Sequence, residues 1–136
     1  MATSQRDNIR DRAHGFCEYC RLPQSGTSLP HEIDHIRAKK HHGTMTLQNT
    51  RWACAYCNNA KGPNASGYDA VTGRLVRLFH PRRDRWNNHF AWRGPRIIGK
   101  TPVARATIDV LNINDLERLE HRRMLIELGE LPTSRE

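Results

Sequence analysis

Two short cysteine pairs constrain this chain more than any other feature. Cys17-x-x-Cys20 and Cys54-x-x-Cys57 hold all four of its cysteines, and each pair has the spacing that lets one tight turn aim two sulfurs at a single ion. Four thiolates at about 2.3 Å complete a tetrahedral Zn²⁺ shell and leave no position open for substrate, so the expected metal is structural. It would staple the segment preceding Asp34 to the segment that begins at Cys54. Free buried thiols or a redox pair form the competing reading, which leaves two identical spacings unexplained.

Composition narrows the partner. The chain has 136 residues, with 22 Lys and Arg against 14 Asp and Glu, for a formal charge of +8. A field of that sign attracts polyanions, and nucleic acid leads among them. The length suits one ordinary domain with a modest core. No apolar run reaches the roughly 20 residues of a membrane span, and Met1 to Arg12 is polar, unlike a secretory signal. A soluble, cytoplasmic protein is expected, whose reducing surroundings favour metal ligation over disulfides.

Local signals place the elements. Ser4 caps a short helix through Arg6, Ile9, Arg10 and Ala13 that Gly15 ends, with its arginines toward solvent. Leu22 to Pro30 is a loop, and a strand begins at His31 or Glu32. Lys39 to Gly43 turns the chain, Leu47 resumes the return path, and Cys54 to Lys61 forms a helix stopped by Gly62-Pro63. The order is strand, strand, helix. Leu75 to Phe79 reads as a strand, and Trp86, His89, Phe90 and Trp92 as core rings. Thr101-Pro102 starts a helix. Asn114 with Glu117 resembles a capping pair for a last helix ended by Gly129. In that helix Leu116, Leu119 and Ile126 share a stripe, with Arg118, Arg122 and Arg123 toward water.

Within this frame Asp34 and His35 suit phosphodiester chemistry. Hydrolysis calls for a base to take the proton of water and a metal to neutralise charge at the phosphate. Imidazole, with an ordinary pKa of about 6.5, accepts a proton near neutrality, and a carboxylate with an amide oxygen makes a hard ligand set for Mg²⁺ or Mn²⁺. Asn58 can supply the amide.

The residues Cys17-x-x-Cys20, Glu32-Ile33-Asp34-His35-Ile36, Asn49 and Cys54-x-x-Cys57-Asn58-x-x-Lys61-Gly62 together resemble the HNH family of ββα-metal (His-Me finger) endonucleases, in the four-cysteine zinc subtype. The resemblance runs from Cys17 to Gly62. It implies His35 as general base, Asp34 and Asn58 as ligands of the catalytic metal, and Asn49 as the middle asparagine that fixes the active-site loop. It also implies cleavage that leaves 5′-phosphate and 3′-hydroxyl ends. Asn58 stands where many relatives carry histidine, which suits Mg²⁺ or Mn²⁺. Beyond Gly62, Leu78-Phe79-His80-Pro81-Arg82, Trp86, His89-Phe90 and Thr101 to Thr107 resemble the C-terminal extension of bacterial stand-alone HNH proteins.

The expected fold is therefore α+β: a ββα-metal finger stapled by a four-cysteine zinc site, with an N-terminal helix and a C-terminal helical extension. It is read as a single nuclease domain over 1–136, divided into residues 1–15, 16–63 and 64–136. Arg37, Lys39, Lys40 and Lys61 are expected to hold the phosphates of double-stranded DNA. His31, His41, His42, His80 and His89 are read first as packed or hydrogen-bonded side chains. The rival functions are a zinc-stapled DNA-binding module without nuclease activity and a protein-interaction adaptor built on the Trp86 to Trp92 aromatics.

Overall fold

Helix α1 (Gln5–Arg12) begins where Ser4 accepts a hydrogen bond from the Asp7 amide, at 3.0 Å. Gly15, at φ 78°, turns the chain away after it. Of its arginines, Arg10 stays in solvent, but Arg6 lies 4.8 Å over the Trp52 ring. Arg12 donates to the Leu47 and Thr50 carbonyls, at 2.7 and 2.6 Å. The helix is thus pinned to the finger rather than presenting all its arginines to water. The computed structural model describes residues 4–133.

The finger follows the expected order. Strands β1 (Glu32–His35) and β2 (Thr50–Ala53) pair antiparallel, and α2 (Ala55–Lys61) follows directly. Leu47 to Asn49 is a helical turn, so the return strand begins at Thr50, later than the sequence suggests. Gly62, at φ 51°, ends α2 in a conformation that glycine adopts without a side-chain penalty.

The extension holds more strand than its sequence reading allows. β3 (Ser66–Tyr68) pairs with β4 (Leu75–Arg77), and β5 (Phe90–Arg93) pairs with β6 (Arg96–Gly99), with the short α3 (Trp86–His89) between these hairpins. Gly94, at φ 58°, makes the second turn. Helices α4 (Pro102–Val110) and α5 (Leu116–Glu127) complete the chain. Thr101 caps α4 as expected, accepting from the Ala104 amide.

The aromatic residues join the extension to the finger. Trp86 donates its indole N–H to the Tyr19 carbonyl at 2.7 Å, while Phe90 lies between Trp86 and Phe79 with ring centroids 5.2 and 5.1 Å away. These rings are core, as their clustering suggests.

Helix α5 departs from its reading in two ways. Its N-cap position is Asp115, because the Asn114 amide is occupied elsewhere: it accepts from Ile97 N and donates to Ile97 O, at 3.0 and 2.7 Å. Two of the arginines expected to face water are also buried. Arg118, Arg122 and Leu125 form the buried face, whereas Leu116 is 72% exposed. Arg122 reaches the Pro95 carbonyl and Asn114 Oδ1, at 2.7 and 3.0 Å. Buried guanidinium groups with such acceptors avoid most of the penalty of leaving water.

Asp69 is the main polar tie within the extension. Buried between the β3–β4 turn and α4, it accepts from Val71 N, Thr72 N, Thr72 Oγ1 and the Arg105 guanidinium. The Arg105 bonds, first among these causes, hold its carboxyl well below the usual range. Asp69→Asn is expected to lower the thermal midpoint by roughly 5 °C or more at pH 7. Exposed Glu130→Gln should leave it nearly unchanged in the same scan.

Candidate active site and metal centre

The four cysteines converge in the core. Their sulfurs all lie within 4.8 Å of one another, and Cys20 Sγ is 3.6 Å from Cys54 Sγ. A tetrahedral Zn²⁺ with bonds of about 2.3 Å needs sulfurs about 3.8 Å apart. The donor set and its spacing therefore fit a structural zinc. Cys54 also accepts from Cys57 N at 3.4 Å, so the second pair is wound into the first turn of α2.

Arg118, from the far end of the chain, donates to Cys57 Sγ at 3.0 Å and to the Leu111 carbonyl at 2.7 Å. Four thiolates around Zn²⁺ carry an excess of negative charge, and this guanidinium answers part of it. Nothing in the local sequence of α5 announces that contact.

The strand register arranges the other site residues. Asp34 stands opposite Arg51 and His35 opposite Thr50, so the two side chains leave opposite faces of the ribbon. Asp34 forms an ion pair with the buried Arg51, and Lys61 Nζ lies 3.9 Å from its carboxylate. Lys61 also donates to the His35 carbonyl at 3.5 Å, which fixes the end of α2 against the end of β1. Asn58 lies one turn before Lys61 on the same helical face, half-buried.

His35 Nε2 is buried and has no hydrogen-bond partner among the described residues. Burial first, then Lys39 and Lys61, lowers the pKa of this ring below its ordinary value. Asn49 holds the connecting loop with three bonds: its Oδ1 accepts from Arg37 N, and its Nδ2 donates to the Arg37 and Thr44 carbonyls, at 2.8, 3.1 and 2.8 Å. Gly43 lies in that loop, where an added Cβ would meet the Arg37 carbonyl.

Arg37, Lys39 and Lys40 are exposed on the loop, where a nucleic acid can reach them. Lys61 is not: it is 1% exposed, beneath the surface beside Asp34. The expectation of a phosphate contact from Lys61 is corrected by this burial, which with Arg51 pulls its pKa down to about 7. His31 is buried, with Nε2 2.8 Å from the Leu22 carbonyl and its ring beside Trp52. His89 meets Thr101 Oγ1 at 2.7 Å. Arg51 escaped the sequence reading, although a charged residue in a buried strand opposite Asp34 was a usable signal.

Residues 17–64, which contain both cysteine pairs and the β1–β2–α2 unit, match the HNH endonuclease family. This segment is similar to an HNH endonuclease domain. Over 127 residues, 92% of its length, the chain is 29% identical to the Septu protein PtuB of Bacillus thuringiensis. It covers 47% of that protein, so it spans about half the length of the curated relative it matches. No solved structure gives a significant match. With that match over β1, β2 and α2 and the four clustered cysteines, the architecture is the α+β ββα-metal fold. Among the described residues no helix is long and apolar enough to cross a membrane.

The purified protein should carry one zinc per chain by elemental mass spectrometry. Arg118→Leu should lose zinc to a competing chelator with an affinity about 10 to 100-fold weaker. Unchanged retention would show that the guanidinium does nothing for the metal.

Proposed function

We propose that the protein is a metal-dependent endonuclease that hydrolyses DNA phosphodiester bonds. The observation that supports this reading is the β1–β2–α2 unit that matches the HNH family, in which β1 carries Asp34 and His35 and α2, which carries Asn58, is tied to β1 through Lys61. In this reading residues 1–136 act as one nuclease domain, and the four cysteines hold a structural Zn²⁺.

His35 is the general base. Its Nε2 takes a proton from the attacking water as the new P–O bond forms, and the bond to the 3′ oxygen breaks with that oxygen gaining a proton. The products are a 5′-phosphate and a 3′-hydroxyl. An unpaired ring nitrogen and a lowered pKa keep the imidazole neutral and receptive at physiological pH.

Asp34 and Asn58 would hold the catalytic Mg²⁺ or Mn²⁺, as a carboxylate and an amide oxygen suit a hard cation. The Asn58 side chain makes no hydrogen bond among the described residues, so its oxygen is available. When bound, the ion would neutralise charge on the scissile phosphate. Arg51 and Lys61 orient the Asp34 carboxylate from below. Asn49 keeps the loop carrying Arg37, Lys39 and Lys40 in place, so these three meet phosphates of double-stranded DNA.

One observation favours a second reading. A carboxylate already paired with an arginine needs no metal partner, as in a zinc-stapled module that binds DNA without cutting it.

Supercoiled plasmid incubated with the zinc-loaded protein and Mg²⁺ or Mn²⁺ separates the two. Relaxed or linear product is expected, with His35→Ala slower by about 10²–10⁴-fold. Equal cutting by His35→Ala would exclude it as base. Binding without cutting by the wild type would favour the non-catalytic module.

A further inference from the structure

The extension closes a cleft against the finger. The loop after β1 forms one wall, Arg77 of β4 and residues 78–84 form the other, and the space measures about 560 Å³. A volume of that size takes a nucleotide-sized group. Five basic side chains line it, Arg37, Arg51, Lys61, Arg77 and Arg83, against the single carboxylate of Asp84.

That carboxylate is already spent. Asp84 accepts both guanidinium bonds of Arg77, at 2.6 and 3.0 Å, and the His80 amide at 2.8 Å. At the floor, Arg51 and Lys61 share Asp34 alone. Arg51 is fully buried, stacked 4.4 Å from the Tyr19 ring, and its Nε and Nη1 have no hydrogen-bond partner among the described residues. Arg51 offsets the Asp34 carboxylate, and Lys61 adds positive charge beneath the cleft in its protonated state. Such a charge is costly to bury unless an anion answers it.

The rim offers donors to that anion. The Arg83 side chain makes no hydrogen bond or ion pair among the described residues. His80 spends Nδ1 on the Arg82 amide at 3.2 Å, which leaves Nε2 uncommitted. We infer that this cleft is a phosphate-binding subsite for a nucleic-acid strand, in which Arg83 and His80 bond the phosphate over the field of the buried Arg51 and Lys61. The inference deepens the nuclease reading, and rests on it for the identity of the strand: the extension holds a backbone phosphate that flanks the cut.

The test measures binding of a fluorescein-labelled duplex to the zinc-loaded full chain, by anisotropy across a salt series with no Mg²⁺ or Mn²⁺ added. Arg83→Ala should weaken binding roughly tenfold and reduce the slope of log K against log salt by about one. His80→Ala should weaken it in the same direction, while Arg10→Ala, on α1 and outside the cleft, should match the wild type. Arg51→Met, if circular dichroism shows it folded, should also weaken binding. Wild-type affinity and slope in both Arg83→Ala and His80→Ala would overturn the inference. Inorganic phosphate alone, at matched ionic strength, should displace the duplex no better than chloride. Selective, saturable displacement would replace the strand with a free anion and overturn the assignment. Because no catalytic metal is present, an Arg83 effect stands even if plasmid is never cut. Cutting with unchanged binding in both Arg83→Ala and His80→Ala would keep the nuclease reading and remove the subsite.

Discussion

A cluster of four buried sulfurs, met by a buried arginine, is the contact on which the rest of the molecule depends. Cys17 and Cys20 come from the knuckle after α1, Cys54 and Cys57 from the start of α2, and Arg118 from α5. Three separated stretches of chain thus meet at one point. An apolar face on α5 would leave a thiolate-rich metal centre facing hydrocarbon, whereas Arg118 brings opposite charge and bonds the carbonyl that follows α4. The helix that looks like a solvated surface element is therefore tied to the cysteine cluster.

The staple matters for chemistry because α2 is short. Cys57 and Lys61 are four residues apart on it, so fixing one end at the sulfurs aims the other at Asp34 and the His35 carbonyl. Asn58 lies between them. The position of the proposed metal ligands on β1 and α2 thus follows from the four sulfurs and the β1–β2 register rather than from loop flexibility. The same compactness explains why Lys61 is buried. Its charge acts on Asp34 from below, and the surface cations that can grip a strand lie on the loop after β1 and on the extension.

Much of this was legible wherever the signal is local. The Ser4 and Thr101 caps, the Gly62 stop and the paired cysteine spacings each act within a few residues, and each appears at the expected place. What escaped depends on distant partners. Periodicity assigns Arg118 to solvent because its acceptor, Cys57, is 61 positions away. Asn114 reads as a cap until β6 is there to occupy its amide. The β5–β6 hairpin had a local marker in Gly94-Pro95, obscured by an aromatic run that core packing explains equally well. Arg51 sits between Thr50 and Trp52 in β2, and its importance appears only when the register places it against Asp34.

Hydrogen exchange during zinc removal tests most directly whether the sulfur cluster organises the β1–β2–α2 finger. Zinc would be withdrawn with a chelator while amide protection is followed by mass spectrometry across β1, β2, α2 and α5. Loss of protection in all four in step with zinc release is the predicted result. Retained protection of β1 and β2 after complete release would contradict the account, because β1, which bears Asp34 and His35, and its partner β2 would then hold their arrangement without the zinc.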